Sequence, residues 1–208
     1  VILHDNWYVS GLCATGSGDF EFQDVFVPDR FVHEFQPEPT QPGTLYRLPT
    51  RAIYPWTVAT VPLGLARGAM TEFLRIAGTR KRRGDVAPLA ERELVQSTVG
   101  RIEARLSAAR LYLRQGMTDM LAAVEAGANL TAPHARFLLG CTFASESAVW
   151  AIGELTQMAG AVAIFRSCPL ERYERDARAA AKHIAMSPMA YIAGGKLLLE
   201  QKVTKAPS

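Results

Sequence analysis

With 208 residues, 49% of them hydrophobic and 21% charged, the chain is long enough for one large domain or two small ones and is not disordered by composition. The net charge of +3 comes without a basic stripe interleaved with aromatics, so nucleic acid is not an expected partner. Cys13, Cys141 and Cys168 lie far apart with no C-x-x-C spacing, which points away from a disulfide framework or a zinc site and toward a reducing, cytoplasmic setting. No apolar run reaches the ~20 residues that span a bilayer, and His4 and Asp5 interrupt what would have to be the apolar core of a signal peptide. The chain opens without Met on what reads as mid-strand, so the expectation is the back part of a longer protein with no membrane segment.

Residues 1 to 35 read as β. Trp7 to Ser10 is short and rich in aromatic and β-branched types, and Ala14 to Gly18 follows as turn punctuation. DFEFQDVFVP then alternates, with Phe20 and Phe22 on one face and Val25 and Val27 displaced by one residue. That pattern predicts a strand with a bulge or bend near Asp24, stopped by Pro28. Two strands alone cannot bury both faces, so this segment calls for more sheet than the chain supplies. Residues 36 to 55, with Pro37, Pro39, Pro42, Gly43, Pro49 and Pro55, read as a proline-rich crossing segment.

From 56 to 208 everything reads helical. Trp56 to about Arg80 is apolar with small residues, and Pro62 and Gly64 predict a bend or break. Glu91 to Ala126 carries Val95, Val99, Ile102, Leu106, Ala109, Leu113, Met117, Met120 and Val124 in steps of four and three, a sustained seam on a helix of about 50 Å. Thr131-Ala132-Pro133 predicts a cap followed by a helix to about Gly160, with Cys141, Ala144, Ala148, Ile152 and Leu155 inward. A third helix runs from about Leu170 to His183, and Ser187-Pro188 opens a last one to about Gln201. The fold class expected is mainly α, an up-and-down helical bundle preceded by the end of a β-domain.

Taken alone, the chemistry-bearing residues have ordinary readings. His183 sits at a helix C-terminus, where a cation is favourable. TRKRRG, Thr79 to Gly84, is a solvated basic turn, and Thr15-Gly16-Ser17-Gly18 is a turn whose N–H groups also suit an anion. His4, His33 and His134 have no companion at metal-ligand spacing, and His134, in a first helical turn, is expected in solvent.

The order of four stretches nevertheless resembles the acyl-CoA dehydrogenase superfamily, and more closely its flavin-dependent monooxygenase branch. GLCATGSGDFEFQDVFVP is similar to the last strands of the family's middle β-domain. AGTRKRRG sits where dehydrogenases have an arginine followed by Phe-Gly. TQMAGA resembles a Gln-x-x-Gly-Gly element, and SCPLERYERDARAAAKH resembles the family's Arg-Asp segment near the active site. The resemblance implies a homotetramer with flavin at a subunit interface, and an N-terminal helical domain and first half of the β-domain that this chain does not contain.

The same resemblance assigns roles. The dehydrogenase glutamate would fall at Ile184, which cannot abstract a proton, and Glu72 on the first bundle helix lies too late to replace it. The monooxygenase branch has histidine at the His183 position, where it hydrogen-bonds the oxygenated flavin or takes a proton from a phenol; imidazole, titrating at about 6.5, suits both. Arg80, or Arg82 or Arg83 in a shifted register, would pair with a flavin phosphate. Thr15, Gly16, Ser17 and Gly18 would offer donors to the flavin, and Trp7 would stack near its ring or cover a sheet face. Gln157 and Gly160 would approach a neighbour's cofactor, while Ala161 in place of the second glycine brings FMN into play beside FAD. Arg175 and Asp176 read as a structural ion pair. The implied activity is the oxygenase part of a two-component system; the alternatives are an acyl-CoA dehydrogenase-like flavoenzyme with its base elsewhere and an inactive fragment that only oligomerises. A separate flavin reductase supplies reduced FMN or FAD, and an aromatic or polycyclic substrate is hydroxylated.

Overall fold

A computed structural model of the chain describes residues 1–33, 39 and 41–204. Strands β1 (Ile2–Leu3) and β2 (Phe20–Glu21) precede helices α1 (Thr50–Thr79), α2 (Glu93–Glu125), α3 (Thr131–Ala159), α4 (Pro169–Ala180) and α5 (Met189–Thr204). The fold is mainly α. One core cluster gathers Phe73, Ile102, Leu155 and Leu170, and a second gathers Ala59, Leu113, Phe137 and Met186. Each cluster joins the late part of α1 and α3 to the early part of α2 and α4, or the reverse. Helices α1 and α3 therefore run one way and α2 and α4 the other, the up-and-down order expected.

Helix α3 is the axis of the bundle, packed against α1, α2, α4 and α5. Its surroundings explain its composition: residues 131–164 contain an 18-residue window with a mean hydropathy of 1.2, long and apolar enough to cross a membrane, and apolar residues within the stretch, Phe137, Ala148, Ile152 and Leu155 among them, are buried against the other helices. This modifies the expectation that no apolar run would be long enough. The α2 seam lies where the sequence puts it: Val95, Ile102, Leu106, Ala109, Leu113, Met120 and Val124 are buried, with Val99 and Met117 at its margin. Its partner α3 comes close because Gly116 has no side chain; a Cβ there would stand 3.0 Å from Phe137 Cα.

Several local expectations are corrected. Trp7–Ser10 is not a strand; the ladder is Ile2↔Glu21 and Leu3↔Phe20, because residues 7–12 leave the sheet to reach α4. The bend at Asp24 is present, with φ of 48°, and Phe20 and Phe22 do share a face, their rings edge to face at 5.4 Å. Neither ring is covered: Phe20 is 60% and Phe22 59% exposed. Helix α1 starts at Thr50, inside the expected crossing segment, and continues through Pro55 and Pro62 without interruption. The Pro62 ring is fully buried, so packing compensates the missing ladder bond. Pro37 lies outside the described residues. Thr131 does not cap α3; Asn129 Oδ1 accepts its N–H at 2.8 Å instead. The third bundle helix stops at Ala180, three residues short of His183, and gives way to tight turns.

His134 is also corrected. It is half-buried rather than solvated, and its Nε2 is buried with no partner among the described residues. Burial pushes its pKa below the ordinary histidine value. A depressed folded-state pKa favours the neutral ring, so the stability it contributes is present above the unfolded value and lost as pH falls through the folded one. His134→Leu should therefore raise unfolding free energy by about 1 kcal/mol and flatten its decline from about pH 7 to pH 5, read by urea titration at several pH values.

Candidate functional site

The loop after β1 is organised around one residue, Leu12. Its carbonyl accepts from Trp7 Nε1 at 3.3 Å, from Thr15 N at 3.1 Å and from Thr15 Oγ1 at 2.9 Å; Ser17 Oγ then donates to Thr15 Oγ1 at 3.1 Å. Leu12 is left-handed, with φ of 54°, an uncommon state for a residue with a side chain. Its N–H is held by Asp176 Oδ1 of α4 at 2.7 Å. The neighbouring Ser10 carbonyl accepts from the Arg175 guanidinium, whose Nε also pairs with Glu171 at 2.5 Å. That pairing holds the Glu171 carboxyl below the usual carboxylate range. Between them Gly11 lies flat on α4. A Cβ there would be 2.6 Å from the Arg175 carbonyl carbon and closer still to its oxygen.

The ion pair that the sequence suggested between Arg175 and Asp176 is not formed. Each residue instead fastens the 10–12 segment to α4, and through Leu12 that segment gathers Trp7, Thr15 and Ser17. Thr15, Gly16 and Ser17 are exposed, Gly16 with φ of 57°, and no other group lies within 4 Å of where a Gly16 Cβ would stand.

His183 follows α4 by three residues, in the turn that continues the chain beyond the end of the helix carrying Asp176. Its N–H still bonds Ala180 O at 3.1 Å. The ring is exposed, and its Nδ1 accepts the Ala185 N–H at 3.2 Å, capping the short turn Ile184–Met186 rather than α4 itself. Because Nδ1 is the acceptor, a neutral ring carries its proton on Nε2. His183 thus presents a hydrogen-bond donor outward. It lies on the wall of a cleft of about 710 Å³ with Glu146, Trp150, Lys182 and Met186. Ile184, at the place of the dehydrogenase glutamate, is 85% exposed and offers no acid. Glu72 is engaged by Arg75 at 2.6 Å, which lowers its pKa and leaves it a poor base.

Gln157 and Gly160 share a second pocket of about 670 Å³ with Arg178 and Glu174 of α4. Trp150 and Val149 line both pockets, so the two adjoin along one face of α3. Trp150 is held by Arg105, whose guanidinium lies 4.7 Å over its ring while its Nε donates to Ser147 Oγ at 3.1 Å. Arg80, Arg82 and Arg83 are exposed at the end of α1 and in the turn after it. They share that end of the bundle with Gln157 but line neither pocket, and among the described residues no carboxylate pairs with them. Trp7, Thr15 and Ser17 line neither pocket either; they adjoin α4 through Asp176. Gly11, Leu12, Glu146 and Tyr191 were missed by sequence reasoning. Only Gly11 carried a signal, as a glycine between a β-like run and a turn.

This architecture, a helical bundle whose fourth helix fastens the end of a β-segment, defines a class. Residues 56–188 match the family described as acyl-CoA dehydrogenase, C-terminal domain, and the chain belongs to that family. Among similar proteins, indole-3-acetate monooxygenase of Pseudomonas putida is 26% identical over 196 residues, covering 94% of this chain and 50% of its own length. The FADH(2)-dependent resorcinol hydroxylase, oxygenase component, of Rhizobium sp. (strain MTP-10005) is 29% identical over 204 residues, covering 89% and 50%. The crystal structure of 3-HSA hydroxylase from Rhodococcus sp. RHA1 superposes with a TM-score of 0.83 at 27% identity, over 96% of this chain and 54% of that one. The chain spans about half the length of the curated relatives it matches.

Proposed function

We propose that the protein is the oxygenase component of a two-component flavin-dependent monooxygenase. It hydroxylates an aromatic substrate with O2 and with reduced FMN or FAD delivered by a separate reductase. We further propose that the N-terminal segment closes a β-domain, that the proline-rich stretch ending at Pro49 crosses to the helical bundle that begins at Thr50, and that the protein works as a homotetramer in the cytoplasm. The relatives are oxygenases of aromatic compounds, and the geometry agrees with that chemistry.

The residues fit a flavin. The exposed Gly16 backbone offers a donor beside Trp7, while the Thr15 and Ser17 hydroxyls, whose own protons are engaged within the loop, hold its shape and offer acceptor oxygens. Arg80, Arg82 and Arg83, exposed and without a carboxylate partner among the described residues, supply cations suited to phosphate. A reduced flavin, when bound, supplies the electrons that activate O2. The protein's own contribution is to hold Trp7, Thr15 and Ser17 on α4 and to present the His183 Nε2 proton at that helix's end as a fixed donor. The observation that carries the reading is this pairing of an outward imidazole donor with the absence of an acid at Ile184. It suits oxygen chemistry and not proton abstraction beside a thioester. Glu72, paired with Arg75, does not restore the dehydrogenase alternative.

Anaerobically reduced FMN or FAD, mixed with the protein, O2 and a panel of phenols and indoles, tests it: hydroxylated product is expected above the hydrogen peroxide background, and peroxide alone would count against it. Single Arg→Gln changes at positions 80, 82 and 83 should identify the phosphate ligand. One of them is expected to weaken flavin binding about ten- to hundredfold in a fluorescence titration, the loss of one charge-assisted hydrogen-bonded pair.

A further inference from the structure

We propose that Glu146 is the residue that selects the substrate, its carboxylate accepting a hydrogen bond from a ring hydroxyl of a phenol seated in the His183 cleft. The inference rests on the reading above that His183 faces the chemistry. In that cleft His183 is a donor, since Ala185 N–H occupies Nδ1. A phenol hydroxyl is itself a donor and needs an acceptor that the imidazole does not supply. Of the other polar groups on the wall, Lys182 only donates, Ser145 is 2% exposed, and Ser187 Oγ already accepts the Met189 N–H at 3.3 Å. Glu146 is exposed to the cleft and its carboxylate has capacity to spare.

The carboxylate is also fixed in place. Tyr191 of α5 donates its hydroxyl to Glu146 Oε2 at 2.7 Å, leaving Oε1 without a partner among the described residues. Burial first, then this bond, pushes the Tyr191 pKa to about 12, so the phenol stays protonated and stays a donor. The apolar walls are Val149, Trp150 and Met186, and the Arg105 guanidinium lies over the Trp150 ring. A cleft of about 710 Å³ takes a one- or two-ring compound. A carboxylate on a phenol hydroxyl also raises electron density at the ring carbons ortho and para to it, the positions an electrophilic oxygen attacks.

The test is calorimetric binding of resorcinol and of its dimethyl ether, 1,3-dimethoxybenzene, to wild type, Glu146→Gln and Tyr191→Phe, together with product formation from resorcinol using reduced flavin and O2. Glu146→Gln should weaken resorcinol about tenfold or more and leave the ether unchanged, and Tyr191→Phe should weaken resorcinol selectively by a smaller factor. Equal weakening of both ligands, no weakening of either, or a wild type that does not prefer resorcinol to its ether overturns the assignment. Selective resorcinol binding that depends on Glu146, with no hydroxylated product from wild type, supports the assignment of Glu146 and overturns the monooxygenase reading instead.

Discussion

Gly11→Ala is expected to release the loop carrying Trp7, Thr15 and Ser17 from the bundle and to weaken flavin binding by about a hundredfold. The added Cβ would meet backbone, the Arg175 carbonyl, with its carbon at 2.6 Å and the Asp176 nitrogen at 3.0 Å, so no rotamer change relieves it. Either α4 or the segment must move. α4 is anchored by buried Leu170, Ala177 and Ala180, whereas the segment is held by few contacts, so the segment yields. With it go the part-buried Leu12–Asp176 bond, to a charged group and worth about 1.5–3 kcal/mol, and the exposed Ser10–Arg175 bond. The helical core lies elsewhere, so far-ultraviolet circular dichroism should hardly change. Amide exchange at residues 10–15 should rise by orders of magnitude, and a flavin titration should show the loss. Unchanged affinity would mean that this loop does not hold the cofactor.

His183→Ala should leave fold and flavin binding intact but cut hydroxylation about 10²-fold, with oxygen uptake diverted to hydrogen peroxide. The ring is exposed and its one internal bond, from Ala185 N–H, belongs to a surface turn, so its removal costs little stability. A single positioned donor toward developing negative charge is worth about 10²–10³ in rate. His183→Gln retains a side-chain donor and should recover part of the coupling. The measurement is hydroxylated product per O2 consumed, compared among the three proteins. A variant as well coupled as wild type would assign His183 to the turn alone.

What the sequence made legible follows from periodicity. Steps of four and three along α2 dictate a buried stripe, and a long stripe dictates long partners, so the bundle and its up-and-down order could be read. His183 is singled out by resemblance to a family motif, and its expected place at the end of the helix is off by three residues, because helix ends and tight turns share the same local composition. The Leu12 arrangement could not, because its decisive bond joins residues 164 apart in the chain, and no local pattern distinguishes an Asp that pairs with a neighbouring Arg from one that accepts a distant N–H. Trp7–Ser10 has strand composition but is drawn off the ladder by that same docking. Pro62 misled for a related reason: propensity argued for a break, and burial of the ring in the core outweighed it. The Glu146–Tyr191 pair was invisible because each reads as an ordinary surface position on its own helix, and only packing of α5 on α3 brings them together.

The account is tested most directly by the origin of the oxygen atom that enters the product. With reduced flavin, ¹⁸O2 and a phenolic substrate, it predicts one ¹⁸O in each hydroxyl newly formed by the wild-type protein. Product carrying oxygen from water, or oxygen consumption that ends only in labelled hydrogen peroxide, would contradict it.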